Sequence, residues 1–225
     1  MLKDCSKIII FDFWQTIAVT KVALFSSIIQ KINPKISLNN FIDKIFTSSI
    51  YCSDTETELL LPVFFKKLGL SDEDIDYVWS LWQKAAFSAT LLSGAKELIL
   101  KLKKQNSFKL CLLSNVDRYG YENFAEKAFL EANFDYLFLS YQQGLVKPDN
   151  RCWQNICNHF RVTHEDVLMI GDSVDHDIAP ACRSIIKGVL VGSGQQVNRA
   201  DYYVDKLSVK DMEPILHDWL NNCRS

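Results

Sequence analysis

Four groups of polar residues in this chain each follow a run of large apolar side chains. They are Asp12 to Thr16, Ser114 with Asn115, Lys147 with Pro148, and the segment GDSVDHD at 171–177. Asp12 is notable because four large apolar residues precede it, so that a buried strand would end on a carboxylate. If the apolar runs are parallel strands, their carboxyl ends share one edge of a sheet and the four groups converge there.

These residue types suit reactions at phosphorus. Asp12 can act as a nucleophile and form an aspartyl-phosphate, which divides one difficult displacement into two easier ones. Asp12 and Asp172, with the main-chain carbonyl of Trp14, are hard oxygen ligands suited to Mg²⁺. Asp177 is a further candidate ligand, although its position would also let it cap the next helix.

The remaining groups can neutralise the charge of a phosphate and bind its oxygens. Lys147 supplies a positive charge for the phosphate and for Asp12. The hydroxyl of Ser114 and nearby backbone amides can bind phosphate oxygens.

The apolar runs predict the elements that position these groups. KIIIFDF, FKLCLLSN, DYLFLS, DVLMIGDS and GVLVGSG are continuous, as expected of parallel strands buried on both faces, and ADYYVDKL predicts a late edge strand. Helical periodicity is found at 94–105, 121–132, 149–160 and 177–184, with a closing helix at 212–222. This alternation predicts a doubly wound, Rossmann-like α/β domain with a parallel sheet.

Residues 20–91 interrupt the alternation. Amphipathic segments lie at 21–32, 38–50, 55–68 and 72–90, separated at Asn33-Pro34 and at Gly69. Ser71 is a candidate N-cap for the last of them. We therefore predict an α/β core formed by 1–19 and 92–225, and a small all-helical cap domain, 20–91, inserted after the first strand.

The composition argues against several classes of protein. The net charge is −2 with both signs interspersed, so no basic surface for nucleic acid or an anionic membrane is expected. The seven cysteines, among them Cys5 and Cys223, lack CxxC spacing, which argues against a disulfide framework or structural zinc. The apolar run before Asp12 is too short to span a membrane. A cytoplasmic location is expected.

The order of the four groups resembles the haloacid dehalogenase (HAD) superfamily, whose members are mostly phosphatases with an aspartate nucleophile. GLVKPD resembles the family's lysine motif, and residues 20–91 resemble its first-type helical cap. The resemblance implies a Mg²⁺-dependent hydrolase of a small phosphorylated metabolite, acting as a monomer or homodimer without nucleic-acid or membrane partners. The implied site comprises catalytic Asp12 and Lys147, substrate-binding Thr16, Ser114, Asn115 and Lys147, and metal ligands Asp12, Trp14, Asp172 and Asp177.

Two positions depart from the family's pattern. Phosphatases of this kind usually carry a second Asp, a general acid and base, where this chain has Trp14. An indole cannot shuttle protons near neutral pH, and such assistance is typically worth about 10²- to 10⁴-fold in rate. Candidates for a replacement acid are Asp117, Asp175, His176 and residues of the helical cap. The second departure is Ile185, where the family commonly has glycine, so we expect this turn to be made differently.

Three functions therefore stay open. The first is a phosphatase whose leaving group needs little protonation or whose acid comes from elsewhere. The second is a carbon-centred hydrolase, either a dehalogenase or a phosphonatase with a Schiff-base lysine drawn from Lys21, Lys31, Lys35 and Lys44. The third is a binding or regulatory protein without useful turnover. Dehalogenases of this type work without metal and lack the acid retained here as Asp172, which favours the phosphatase.

Overall fold

The protein was analysed as a computed structural model that describes residues 7–32, 37–192 and 200–222. Cys5, Asn33, Pro34, Lys35 and Cys223, named above, lie outside these residues. The strands are β1 (Lys7–Phe11), β2 (Ala18–Val19), β3 (Thr90–Leu91), β4 (Phe108–Ser114), β5 (Tyr136–Leu139), β6 (Val167–Gly171), β7 (Lys187–Val191) and β8 (Tyr202–Val204).

Six of these strands form one parallel sheet in the order β5-β4-β1-β6-β7-β8. The chain first builds outward from β1 through β4 and β5, then returns to add β6, β7 and β8 on the other side. This is the doubly wound topology, which binds ligands outside the carboxyl ends of the strands where the order reverses. The predicted α/β, Rossmann-like fold is confirmed, and the reversal lies between β1 and β6.

Side chains of β1 alternate between the two faces of the sheet, as the period of a strand requires. Ile9 and Phe11 pack into one apolar cluster, and Ile8 and Ile10 pack into another on the opposite face. All four are fully buried. Burial on both faces explains why this strand is continuously apolar rather than alternating.

The helices that cover the sheet agree with the predicted periodicity in most places. They are α6 (Ser93–Gln105), α7 (Arg118–Glu122), α8 (Lys127–Asn133), α9 (Ser140–Gln143), α10 (Arg151–Phe160), α11 (Ala179–Arg183) and α12 (Val209–Asn222). A π-helical turn, Val174–Ile178, precedes α11. In the described part of the chain, no helix combines the length and apolar character that crossing a membrane requires.

The prediction of one helix over 121–132 is wrong, because the chain forms two helices, α7 and α8, with a turn between them. Asn123 ends α7, and its side-chain amide donates to the carbonyl of Tyr119 at 3.0 Å. The turn lets Phe124 become buried with its ring centroid 5.1 Å from that of Phe13. A long-range aromatic contact thus overrides the local helical pattern.

Between β2 and β3 the chain is helical, as predicted. The helices are α1 (Leu24–Ile32), α2 (Leu38–Phe46), α3 (Ser49–Cys52), α4 (Thr57–Lys67) and α5 (Asp72–Ser88). Ser71 caps α5 as expected, since its hydroxyl accepts from the amide of Asp74. These helices share an apolar cluster of their own, in which Phe41, Phe65 and Trp82 are fully or almost fully buried. The short antiparallel pair of β2 and β3 joins the two chain crossings.

The expectation that the turn at Ile185 would be made differently is wrong. Ile185 adopts the left-handed conformation that glycine favours, with φ of 64°. Its amide donates to the carbonyl of Cys182 and the amide of Ile186 donates to that of Ala181, which is the Schellman pattern at the end of a helix. Ile185 is 70% exposed, so its side chain gains little burial in return for this conformation.

Ile185→Gly should stabilise the protein. The left-handed conformation costs a β-branched residue roughly 1–2 kcal/mol, and the greater unfolded-state entropy of glycine offsets about 0.5–1 kcal/mol of the relief. We expect a net gain of about 0.5–1 kcal/mol in the free energy of unfolding, measured by urea denaturation. Ile185→Ala keeps Cβ and should gain less. A glycine variant less stable than the wild type would contradict this account.

Candidate active site

Asp12 lies one residue beyond β1, where its amide still extends the sheet by donating to the carbonyl of Ile170 at 2.8 Å. The side chain is buried and both of its oxygens have partners. Oδ1 accepts from Lys147 Nζ at 2.5 Å, and Oδ2 accepts from Thr16 Oγ1 at 3.0 Å. The carboxylate is therefore held by two groups that sequence analysis had assigned to the site.

Lys147 is a buried cation placed between two carboxylates. Its Nζ lies 2.5 Å from Asp12 Oδ1 and 2.6 Å from Asp177 Oδ1, and the residue is 3% exposed. Burial alone would lower the pKa of Lys147, but the Asp12 and Asp177 charges raise it above the usual value. The ammonium group therefore stays charged at neutral pH.

Asn115 fixes the backbone of Lys147. The Asn115 amide nitrogen donates to the Lys147 carbonyl at 2.9 Å, and its oxygen accepts from the Lys147 amide at 2.8 Å. Both ends of this buried side chain are thereby used to position the lysine. The prediction that Asn115 binds substrate directly stays a prediction.

Asp12, Asp172 and Asp177 form an acidic cluster. Carboxylate oxygens from the three residues all lie within 4.8 Å of one another. Burial and the charge of Asp12 raise the pKa of Asp177, although Lys147 opposes the shift. Burial of the Asp172 carboxylate and the negative charges of Asp12 and Asp177 also raise the pKa of Asp172. Because Asp172 as a whole is solvent-exposed, repulsion by these charges is the better-supported cause.

The cluster has the chemistry of a cation site. When all three carboxylates are ionised, they carry three negative charges against the single positive charge of Lys147. Hard oxygen ligands of this kind are those that divalent ions such as Mg²⁺ or Ca²⁺ prefer. The three carboxylates could therefore hold a divalent metal ion. The carbonyl of Trp14 stays a predicted further ligand.

The position of Asp177 depends on a glycine. A Cβ atom on Gly171 would lie 2.5 Å from the carboxyl carbon of Asp177, closer than packed atoms approach. The Asp177 carboxylate also accepts from the Ser173 amide at 3.0 Å, which ties it to the loop after β6. Helix α11 has no side-chain N-cap bond, so the alternative prediction that Asp177 caps this helix is wrong.

Ser114 ends β4 at the same edge of the sheet. Its side chain is 1% exposed, and among the described residues its hydroxyl has no hydrogen-bond partner. A buried hydroxyl without a partner is costly and calls for an explanation. A ligand oxygen at this point would supply the missing partner, in keeping with the predicted substrate-binding role.

Trp14, at the position where a second acid was expected, is half-buried. Its indole packs against Phe13, with ring centroids 4.4 Å apart. Gln15, next along the chain, has a φ of 60° and lines the same cavity as Trp14. This loop thus carries an indole and an amide where a second carboxylate was expected.

The three candidate replacement acids lie in different surroundings. Asp175 is exposed. His176 has its Nδ1 3.2 Å from Ser173 Oγ and its Nε2 3.3 Å from Asp43 Oδ1 on α2. Asp117 is buried and lines the same cavity as Trp14.

Asp117 connects the core to the inserted helices. Its Oδ1 accepts from Thr57 Oγ1 on α4 at 2.9 Å and from the Gly120 amide at 3.0 Å. Burial raises the pKa of Asp117, while these donors oppose the shift. Asp117 was a predicted candidate, but no pattern in the sequence points to Thr57, because its bond to Asp117 joins segments far apart in the chain.

The lysines considered for a Schiff base receive little support. Lys31 pairs with Asp74 at 3.1 Å, and Lys21 and Lys44 are exposed. None of these three described lysines lines the cavity beside Trp14.

Comparison with known proteins agrees with this geometry. The family model described as haloacid dehalogenase-like hydrolase matches residues 6–183. The chain therefore belongs to the haloacid dehalogenase-like hydrolase family. It is 26% identical over 111 residues to N-acylneuraminate-9-phosphatase from Homo sapiens, a match covering 49% of this chain and 44% of that protein. The chain thus spans less than half the length of this relative.

Solved structures share the fold at low sequence identity. A 2-haloacid dehalogenase from Pseudomonas syringae pv. Tomato DC3000 matches with a TM-score of 0.62 at 15% identity, covering 96% of this chain and 99% of that one. The putative HAD-hydrolase YfnB from Bacillus subtilis, bound to magnesium, matches with a TM-score of 0.61 at 16% identity, covering 94% and 99%. Dehalogenases and phosphatases are thus both among the proteins similar to this chain.

Asp117→Asn should change how stability depends on pH. A carboxyl group whose pKa is higher in the folded than in the unfolded state binds more protons when folded, so its contribution to stability falls as pH rises. The fall begins near the unfolded pKa of about 3.9 and ends once the raised folded pKa is passed. Asparagine does not titrate, so the stability of the variant relative to the wild type should increase from pH 4 to pH 8. Urea denaturation between pH 4 and pH 8 measures the free energy of unfolding of both proteins. A difference between them that does not change with pH would contradict the burial argument.

Proposed function

We propose that this chain is a Mg²⁺-dependent phosphatase that acts on a small phosphorylated metabolite through an aspartyl-phosphate on Asp12. The observation that carries the proposal is the acidic cluster of Asp12, Asp172 and Asp177 around a buried lysine. A dehalogenase needs a carboxylate nucleophile but no metal, so it has no use for two further carboxylates beside it. A phosphate is itself anionic, and a metal ion would reduce its repulsion by Asp12.

The proposed reaction has two displacements at phosphorus. An Asp12 carboxylate oxygen forms a bond to phosphorus while the bond from phosphorus to the leaving oxygen breaks, and that oxygen takes up a proton. Water then attacks phosphorus and loses a proton while the bond from phosphorus to the Asp12 oxygen breaks, which releases inorganic phosphate and restores the Asp12 carboxylate. Lys147 balances charge beside Asp12 throughout.

The other residues bind and position. The unpartnered hydroxyl of Ser114 supports a role in binding a phosphate oxygen. Thr16 orients the nucleophile through its bond to Asp12, and Asn115 holds Lys147. Magnesium, held by the acidic cluster with the Trp14 carbonyl as a further proposed ligand, would neutralise charge between the carboxylate and the phosphate.

We further propose that residues 20–91 act as a cap over this site. Their separate apolar cluster and their contacts with Asp117 and His176 support it. The hinge would lie near 17–21 and 89–94, where β2 pairs with β3. The expected setting is cytoplasmic, as a monomer or homodimer without nucleic-acid or membrane partners.

A second candidate function is a binding protein of the same fold without useful turnover. Trp14 favours it, because no carboxylate stands where the family's general acid is expected. Similarity to N-acylneuraminate-9-phosphatase does not decide between a phosphatase and a binding protein, since the match covers 44% of that protein at 26% identity.

Mg²⁺ should bind in the millimolar range or tighter and raise the melting temperature, because an ion selective for the folded state stabilises that state by mass action. Asp172→Asn should weaken binding because it removes one of the three carboxylates. Asp175→Asn, a change to an exposed neighbour in the same loop, is the matched control and should bind as the wild type does. Calorimetry that detects no Mg²⁺ binding to the wild type, even with a phosphate analogue present, would overturn the metal assignment.

Trp14→Asp should raise hydrolysis of alkyl phosphates by about tenfold or more, because it restores a proton donor for a basic leaving oxygen. Trp14→Asn removes the same indole without supplying an acid, so comparing the two variants isolates the carboxylate. Steady-state rates on a primary alkyl phosphate provide the measurement, and Asp12→Asn should abolish turnover in either background. Equal rates for a folded Asp variant and the Asn variant would show that the missing acid does not limit the reaction.

A further inference from the structure

A cavity of about 310 Å³ lies between the core and the inserted helices. Trp14 and Gln15 form part of its wall, two and three residues after Asp12, and Asp117, three residues after Ser114, forms another part. The remaining wall comes from α1, α2 and α5. The cavity therefore adjoins the edge of the sheet that carries the proposed nucleophile.

The walls of this cavity are mainly apolar. Leu24 and Phe25 come from α1, Phe46 from α2 and Trp82 from α5. Aromatic contacts hold three of these side chains in place, since the Phe25 ring centroid lies 5.9 Å from that of Phe46 and 6.2 Å from that of Trp82. Rigid aromatic walls select a ligand by shape and by apolar contact.

Polar groups in the described wall are few, and they include no cation for a negatively charged ligand. Among the described residues that line the cavity there is no lysine, arginine or histidine. The Asp117 carboxylate already accepts from Thr57 and Gly120, and the Thr20 hydroxyl is bonded to Ala85 and Ser88. A ligand carboxylate here would meet Asp117 without a compensating cation. The hydroxyls of a sugar would exchange hydrogen bonds to water for the few polar side chains left in the wall, Gln15 and Tyr51 among them, and would otherwise face apolar groups.

We propose that the substrate is a phosphate monoester whose organic part is uncharged and apolar, with the phosphoryl group at Asp12 and the apolar part in this cavity. The inference rests on the proposed phosphatase function. An apolar cavity of about 150 Å³ accommodates benzene, so about twice that volume accommodates a body of one or two rings or an equivalent branched chain. Trp14 is then a specificity-determining residue, since it lines this cavity only two residues after Asp12.

The test compares substrates whose leaving groups are matched. 3-Phenylpropyl phosphate, glycerol 3-phosphate and glucose 6-phosphate all release a primary alcohol, so the need for a general acid is similar and the organic part differs. We expect kcat/KM for the phenylpropyl ester to exceed that of the other two at least about 100-fold, because its ring leaves water on binding. Comparable values, or a preference for either hydroxyl-rich ester, would overturn the proposal while leaving the phosphatase function intact.

Variants of Leu24, a half-buried wall residue on α1, make the test specific to this cavity. Leu24→Lys introduces a cation whose stem can pack while its head reaches solvent; it should lower the preference for the phenylpropyl ester about tenfold. Leu24→Met keeps an apolar wall and should retain the preference. If both variants keep the wild-type preference, the organic part is not recognised in this cavity and the proposal fails.

Binding of phosphonates separates this proposal from the proposed activity. If no phosphate ester is hydrolysed, the phosphatase function fails, and calorimetry with Mg²⁺ then compares 4-phenylbutylphosphonate with 3,4-dihydroxybutylphosphonate. Tighter binding of the phenyl compound would support the ligand class in a protein that binds without turnover. Equal binding, or none, would overturn it.

Discussion

The buried lysine between two carboxylates is the interaction on which the site depends. Lys147 contacts Asp12 and Asp177 at 2.5 and 2.6 Å in surroundings almost closed to water. Removing one partner from a buried ion pair leaves an uncompensated charge and typically costs about 3–5 kcal/mol. With Asp172 included, a single lysine lies among three carboxylates, so the protein itself neutralises only part of their negative charge. This residual negative charge is what a divalent ion would neutralise.

The surrounding fold is arranged to keep these charges close. The reversal of strand order puts Asp12 and Asp172 on neighbouring strand ends. The absence of a side chain at Gly171 makes room for Asp177, and the double hydrogen bond from Asn115 fixes the backbone of Lys147. Holding these side chains in place costs little further conformational entropy once the sheet has formed, because the rigid strands already fix most of their backbone positions.

Trp14 stands at the boundary between two different environments. Asp12, two residues earlier, belongs to the charged groups of the sheet edge, whereas Trp14 lines the apolar cavity under α1, α2 and α5. An aspartate at this position would face the apolar wall, where burial would raise its pKa. An indole suits that wall and packs on Phe13. The presence of Trp14 instead of an aspartate is thus consistent with the apolar cavity. The same residue removes the expected general acid and adds an apolar surface for a ligand.

Continuous apolar runs define parallel strands, and such strands end at a shared edge. The amino-acid pattern alone therefore predicts the sheet, most of its helices and the convergence of four polar groups. It did not determine which partners those groups take. That Asp177 pairs with Lys147, that Asn115 turns toward the lysine backbone, and that the chain breaks at Asn123 were decided by tertiary contacts. The cavity was likewise invisible, since its walls come from segments far apart in the chain. Periodicity reports which face of an element is buried, whereas partners and cavities arise only when separate elements pack together.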